Sequence, residues 1–585
     1  MKSLFTLLLF SVLLVFVIGD KDLQWWQSTI IYQMLIPSFK DSNNDGVGDF
    51  KGATQKLPYL RDLGIGTIWL TAFQKANVPY LDSTIMDYKS IHPQYGTMAD
   101  FEDFMTQCKR LHLNVILSFV PNHSSTKHDW FKKSVKREAP YTDYYVWRPS
   151  TSADITKPNP PCNWKSALDA PAWVWNDERK EYYYRAYYDE TADLNLRNSN
   201  VKREMKEILE FWMSLGVKGF VIDKVSYLFE DEKFLDEPVE KKSKPSEQHP
   251  YTLNQKENVQ LLKEWRKLID TYPSTDKTPR FLMVRAEPFD DIQQEYYGTE
   301  EEKAAHIVMN PALLKKTEAA QAQLLDAAIG QALGKMFLTK SKLWINWATG
   351  ESTATRVASR WDKELVDAAN IILLMLPGTA VTYYGEEIGM ESFEKIPSNF
   401  KTVDGYGKDR TPFQWNDRPN AGFTESEATD LWLPIHSNYY TTNMESQKTN
   451  PKSTLNNYKR VARLRGDLDL DLQALDISTF ITSTNVFVMA RETSKQRKYI
   501  VLINFGTNSP CVNFKQNILD IKDPYLLVHT ASGNSEYNIG DNLNIDNCFL
   551  MRPKSSLLLM TSSSDRLTIF FGVFTFPILA ILFNS

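Results

Sequence analysis

Short apolar runs recur along the chain: "GTIWLT" (65–70), "NVILSFV" (114–120), "GFVID" (219–223), "FLMVRAE" (281–287), "LWINWA" (343–348) and "AVTYYG" (380–385). They do not alternate with polar residues, which is the pattern of parallel strands covered on both faces. Segments with helical spacing, such as "VKREMKEILEFWMSLG", separate them, so the chain reads as repeated β/α units. Repetition on this scale predicts an α/β fold, a (β/α)8 TIM barrel, with function at the C-terminal ends of the strands. Between "NVILSFVPNHSS" and "VKREMKEILEFW" lie about 75 residues rich in Trp, Tyr and Pro, too many for an ordinary connection. They predict a subdomain, 124–195, inserted after the third strand, which leaves 20–123 and 196–470 for the barrel. Past "LNNYKRVARLRG" the segments turn short and alternating, as in "TNVFVMARE" and "KYIVLINFG", and predict a C-terminal antiparallel β-sandwich over 471–561.

The two ends carry apolar runs of another kind. Beyond Lys2, "LFTLLLFSVLLVFVIG" ends in small residues before Asp20, the form of a secretory signal peptide over 1–19. At the other end "SSSDR" (Ser562 to Arg566) precedes "LTIFFGVFTFPILAILF", with Asn584 and Ser585 after it. Small residues before a terminal apolar tail over 562–585 resemble a glycosylphosphatidylinositol attachment signal. The polar spacer is shorter than the usual ~8–12 residues, so a plain spanning anchor stays open as the alternative. Either arrangement places the folded part on the extracellular face of the plasma membrane. Four cysteines suit that compartment; of three pairings, Cys511 with Cys548 is expected, since both lie in the small C-terminal domain. The formal charge of −5 comes without a concentrated basic run, so nucleic acid is not an expected partner.

Six collinear motifs then narrow the class: "IYQMLIPSFKDSNNDGVGDFKG", "PNHSSTKHDWF", "ADLNLRN", "LPGTAVTYYGEEIGM", "DRTPFQWN" and "NYYTTNMESQ". Together they resemble the α-amylase family of glycoside hydrolases, and within it the insect α-glucosidases (maltases). The resemblance spans nearly everything between the terminal runs. It implies a retaining reaction by two carboxylates about 5–5.5 Å apart, one attacking the anomeric carbon and one protonating the leaving oxygen. A third carboxylate holds the sugar and stabilises the transition state.

Against that pattern the chain departs at most positions. The family reads Gly-Phe-Arg-Ile-Asp where "GFVID" stands: Asp223 keeps the nucleophile position, but Val221 replaces the arginine that holds it ionised. In "LMVRAEPF", Arg285 replaces the acid/base glutamate, and a guanidinium that stays protonated cannot act as a general acid. "NWATGESTATRVASR", aligned without a gap, sets Glu351, Ser352 and Thr353 on an Asn-His-Asp triplet, so Thr353 replaces the transition-state carboxylate. Ser118 stands for an aspartate, and Ser83 with Thr84 for a sugar-stacking Tyr-Asp pair. Asp223, Asn122 and His123 are the remnant of the substrate pocket. Asp223 is expected to balance Arg285 or Lys224 as a structural ion pair. A rescue reading notes Glu287, two residues after Arg285, and Glu351, two before Thr353, each on the same side of an extended chain. The displacement of about 6–7 Å along a strand far exceeds the ~0.5 Å a catalytic group tolerates.

One site is intact by this reading. "DSNNDGVGD" spaces oxygen donors at Asp41, Asn43, Asp45 and Asp49, with the Val47 carbonyl and a turn at Gly46, a set suited to a structural calcium, its usual occupant in maltase-like members. Gly52 at the twelfth position and Pro37 upstream argue against an EF-hand. The sequon "NHS" at Asn122 belongs, by the resemblance, to the barrel interior. The leading expectation is a maltase-like, membrane-anchored extracellular protein without catalysis, acting by binding a protein partner at the cell surface or as a receptor, with an oligosaccharide as a second candidate ligand. The alternatives are an active α-glucosidase cleaving α-1,4-linked glucosides and a transporter heavy-chain-like subunit.

Overall fold

The computed structural model describes residues 23–569 apart from 78–83, 155, 241, 243, 274–276, 288–290, 315–321, 339–342, 399, 401–406, 427–429, 467–476, 483–484, 494–496, 514–518, 522 and 562–567. The signal-peptide expectation, the anchor segment except for 568–569, and Ser83 lie outside the described residues. Among the described residues no helix is long and apolar enough to cross a membrane.

Eight parallel strands build the wall: β1 (Ile30–Met34), β2 (Thr67–Leu70), β3 (Asn114–Phe119), β4 (Gly219–Ile222), β5 (Phe281–Val284), β6 (Ile307–Val308), β7 (Asn346–Ala348) and β8 (Thr379–Tyr383). They are laddered in the order β6-β5-β4-β3-β2-β1-β8-β7, the circular order of a TIM barrel. The helices between them are α1 (Phe50–Asp62), α2 (Met98–Arg110), α3 (Ser199–Ser214), α4 (Lys256–Thr271), α5 (Ala322–Leu338), α6 (Val366–Met375) and α7 (Thr454–Gly466). A 3-10 turn, Asp291–Tyr297, serves between β5 and β6. Among the described residues no ladder joins β6 to β7. Side chains stitch that seam instead: the Tyr297 hydroxyl donates to the Trp344 carbonyl at 3.0 Å, and the Asn310 N–H donates to Asn346 Oδ1 at 2.9 Å.

Local sequence explains the elements that carry the site. In α3, Val201, Met205, Ile208, Leu209, Trp212 and Met213 recur at helical spacing and are buried, and the Asn198 side chain caps the helix by accepting from the Asn200 N–H. Gly219 opens β4 because a Cβ there would meet the Phe281 carbonyl oxygen at 2.4 Å, so only glycine lets β4 and β5 approach. The insert is fastened at its base, where His123–Ser125 pairs antiparallel with Thr191–Asp193. It carries a three-stranded sheet of Trp147–Arg148, Trp173–Asn176 and Glu181–Tyr184, around its own core of Trp164, Trp173 and Tyr184.

The C-terminal domain is a six-stranded antiparallel sheet of β9 (Ile477–Ile481), β10 (Val486–Glu492), β11 (Lys498–Asn504), β12 (Tyr525–Ala531), β13 (Asn542–Asn544) and β14 (Ser556–Met560), in the order β9-β10-β11-β14-β12-β13. Two-stranded pairs lie beside it, Cys511–Val512 with Phe549–Leu550 and Leu519–Asp520 with Thr568–Ile569. Cys511 and Cys548 form a disulfide, and Cys108 and Cys162 are buried thiols. The antiparallel domain expected from the short alternating segments is present, and its strand β11 is buried throughout. Val486, Val488, Ile500 and Leu502 face the small domain's core, while Phe487, Met489, Val501 and Ile503 join the barrel's core. Helix α6, buried at every residue, lies where these layers meet.

Candidate functional site

Asp223 follows the last residue of β4 and Arg285 follows the last of β5, and the β4–β5 register brings both to the same level of the barrel mouth. The Arg285 backbone N–H donates to the Ile222 carbonyl at 2.9 Å, fixing that level. Its guanidinium then reaches three acids. Nη1 donates to Asp223 Oδ1 at 2.8 Å; Nη2 donates to Glu287 Oε1 at 3.1 Å and lies 2.8 Å from Glu351 Oε2. Nη2 also donates to Thr353 Oγ1 at 3.0 Å, and the Thr353 hydroxyl in turn donates to Glu351 Oε1 at 2.8 Å. The Arg285 side chain is 7% exposed, those of Asp223 and Glu351 10% and 5%, so water screens these contacts little. Burial opposes the Arg285 charge, but Glu351, Glu287 and Asp223 outweigh it and hold the guanidinium pKa well above its usual value. Burial pushes Glu351 up, against the pull of Arg285. Burial also raises Glu287, but Arg285 and then Lys224 overcome it and hold that carboxyl below its usual range.

This geometry decides what the mouth can do chemically. A sugar to be cleaved must lie between the nucleophile and its partner carboxyl. Arg285 is in hydrogen-bond contact with both the retained Asp223 and Thr353, so its guanidinium lies between those two positions. Glu287 and Glu351, the two acids of the rescue reading, both turn onto that same cation.

The other replaced positions are also engaged. Ser118 Oγ accepts from Trp69 Nε1 at 3.0 Å, and Val221 is fully buried beside it in the β3–β4 ladder. Ser352 accepts from Arg410 Nε at its carbonyl, at 2.9 Å, and buried Thr84 accepts from the Asn77 N–H at its own. Asn122 and His123 are built into the root of the insert. Asn122 Nδ2 donates to Asp193 Oδ2 at 2.9 Å and to the Tyr227 carbonyl, and Asn122 Oδ1 meets His123 Nδ1 at 2.6 Å. Lys224, in the left-handed region at φ 60°, sets its Nζ 4.7 Å over the Tyr187 ring of the insert.

Two buried acids escaped the sequence reading. Asp193, within "ADLNLRN", accepts from the Ala186 N–H and from Asn122, and burial pushes its carboxyl up to about 8. Glu230 is raised by burial and then by Asp193.

The loop 41–49 is closed by its own hydrogen bonds. Asp41 accepts from the N–H groups of Asn43, Asn44 and Gly46, Asp45 from that of Val47, and Asp49 from those of Ser42 and Gly52, capping α1. These oxygens keep further lone pairs, so the donor set fits a hard cation. Among the described residues, however, no three Asp, Glu, His or Cys side chains converge on a common metal position. Pro37 lies in a single helical turn, Ile36–Phe39, too short for the entering helix of an EF-hand; proline suits a first turn, where its missing N–H has no partner to lose.

Comparison with known proteins agrees with the fold and the motifs. The "Alpha amylase, catalytic domain" family matches residues 33–470. Maltase 1 of Drosophila virilis is 35% identical over 546 residues, covering 87% of this chain and 83% of the maltase. The amino acid transporter heavy chain SLC3A1 of Rattus norvegicus is 34% identical over 536 residues, covering 88% of this chain and 76% of the heavy chain. Among solved structures, the α-glucosyl transfer enzyme XgtA superposes with a TM-score of 0.78 at 24% identity, over 92% of this chain and all of that one. That likeness concerns the fold. With the barrel, the motifs and relatives above 30% identity in agreement, the chain belongs to the α-amylase family of glycoside hydrolases.

Proposed function

We propose that this protein is a non-catalytic, maltase-like member of its family that works by binding a protein partner at the cell surface. One observation carries the reading: the Arg285 guanidinium bridges Asp223 and Thr353, the two positions that would face a bound glucosyl ring. The missing proton donor supports it independently, since acetal cleavage needs an acid at the leaving oxygen and Arg285 stays charged. The test is hydrolysis of a chromogenic α-glucoside by the purified extracellular part. No turnover above a buffer blank is expected; turnover that Asp223→Asn abolishes would make the protein an active α-glucosidase and overturn the proposal.

A second reading is a transporter heavy-chain-like subunit, favoured by the 34% identity to relatives named amino acid transporter heavy chains. Copurification with a polytopic transporter from detergent-solubilised cells would support it. The "SSSDR" segment and terminal apolar run support a lipid anchor, which release by a phosphatidylinositol-specific phospholipase checks, and resistance to that enzyme speaks for a spanning tail. The 41–49 loop is proposed to hold a structural calcium through Asp41, Asn43, Asp45, Asp49 and the Val47 carbonyl. Chelation should then lower the unfolding temperature by about 1 °C (~1 kcal/mol), and Asp45→Asn should remove that response.

A further inference from the structure

The terminal apolar run departs from a strand that the C-terminal sheet holds on both sides. β14 is paired with β11 on one side and β12 on the other. Past its last residue, Met560, the Thr561 N–H donates to the Lys498 carbonyl at 3.0 Å, and the Lys498 N–H donates back to Thr561 Oγ1 at 3.1 Å. The domain is therefore tied down as far as Thr561. The serines of "SSSDR", Ser562 to Ser564, follow at once, and the apolar run starts at Leu567. A chain spans at most about 3.5 Å per residue, so a lipid joined to one of these serines lies within about 10 Å of Thr561, and a spanning segment that starts at Leu567 within about 20 Å. Thr568–Ile569, inside the run, pair with Leu519–Asp520, a short way ahead of β12.

So short a tether brings one edge of the domain to the bilayer. Leu527 of β12 is paired with Met560, so Tyr525, two residues earlier on an antiparallel strand, stands about 7 Å beyond the end of β14. Tyr525 is 52% exposed and follows an exposed Pro524, while Leu526 is buried. The Pro524 carbonyl accepts from the Ile545 N–H at 3.0 Å, and Asp523 Oδ1 from the Tyr525 N–H at 3.1 Å, which holds the exposed pair in place. Arg497 closes the β10–β11 turn at the same edge, directly before Lys498, its carbonyl accepting from the Thr493 N–H at 2.9 Å. We propose that this edge of the C-terminal domain, led by Tyr525, rests in the headgroup layer of the membrane that holds the protein. The proposal depends on reading the terminal run as an anchor, and it is the same for a lipid and for a spanning tail. An apolar ring with a polar hydroxyl suits the membrane–water interface. Among the described residues Glu492 and Asp523 share the edge with Arg497, so no cationic excess selects an acidic lipid, and a zwitterionic phosphatidylcholine surface is the match. The folded part then stands on the membrane by one edge instead of swinging on a leash.

The experiment uses the full chain, extracted in detergent from expressing cells and reconstituted into phosphatidylcholine vesicles. A fluorophore is attached to Tyr525→Cys, to Arg497→Cys and, as the control, to Glu536→Cys, whose position is exposed in the loop that follows the opposite end of β12. Cys108 and Cys162 are buried, so the label goes to the new thiol. Phosphatidylcholine with a nitroxide on its headgroup should remove most of the emission at positions 525 and 497 and leave that at 536. Where the protein floats with the vesicles but emission at 525 and 497 falls no further than at 536, the inference is overturned and the anchor stands. A full chain that does not float with the vesicles overturns the anchor reading and the inference with it. Arg497→Cys keeps the test decisive if Tyr525→Cys does not fold.

Discussion

A guanidinium that meets three carboxylates inside a barrel is held by electrostatics that the same side chain would not feel on the surface. The family pattern places three carboxylates and one arginine at the mouth, and so does this chain, but the positions are exchanged. The arginine leaves position 221 for position 285, and the acids sit at Asp223, Glu287 and Glu351. The charge inventory is retained while the positions that carry it change. Removing the cation therefore leaves buried, mutually repelling acids, and Arg285→Ala should destabilise the fold by about 3–5 kcal/mol at neutral pH. Without Arg285 the acids bind protons more readily folded than unfolded, so that deficit should shrink as pH falls and grow as it rises, a sign read from denaturant unfolding at pH 5 and pH 8. A second prediction separates geometry from inventory. Restoring Arg285→Glu with Thr353→Asp should not recover hydrolysis of a chromogenic α-glucoside, because Val221 and Ser118 remain tied into the wall and Thr84 into a buried turn outside it. The sequence indicated the same-side positions of Glu287 and Glu351. It did not indicate that one long guanidinium would draw both onto itself, because side-chain reach is set by three strand ends at once.

At the scale of elements, the runs at β2, β3, β4, β5, β7 and β8 were legible because each is apolar on both faces and flanked by helical spacing. Two strands were not. In β1, "IIYQM" puts Gln33 in a fully buried strand, and β6 is two residues, too short for any periodicity. The short β6 has a structural consequence, since it leaves the seam with β7 to side chains. Tyr297 spans it, its hydroxyl donating to the Trp344 carbonyl and lying 3.5 Å from that of Val308. Burial pushes that phenol well above its usual value, so it stays a neutral donor throughout the physiological range. Tyr297→Phe keeps the ring and removes the bridge, and should lower stability by about 1–2 kcal/mol, since a buried carbonyl loses its donor. Global denaturant unfolding gives the magnitude, and hydrogen exchange at the seam should show the loss concentrated beside β7.

Across the whole molecule, the barrel does not end at its own helices. Helix α6 is buried at all of its residues, and no amphipathic barrel helix would be. It is covered because β10, β11 and β14 of the C-terminal domain supply another wall of the core. Its last carbonyls are taken from both sides. Arg465 of α7 donates to those of Leu374 and Leu376 at 2.7 and 3.0 Å, and Arg491 of β10 to that of Met375 at 2.7 Å. The cations also oppose the negative end of the α6 dipole. A chain ending after α7 would expose α6 and should aggregate rather than yield a soluble barrel. The disulfide bears on the same coupling from the other side. Cys511 and Cys548 are 37 residues apart, and closing a loop of that length stabilises a domain by about 3–4 kcal/mol through the unfolded state. If the small sheet is part of the shared core, that loss must be felt by both domains. Cys511→Ser with Cys548→Ser should therefore lower a single common unfolding transition, followed by calorimetry and by the fluorescence of Trp69 and Trp347 in the barrel. A C-terminal transition that separates from an unchanged barrel transition would show that the two cores are independent.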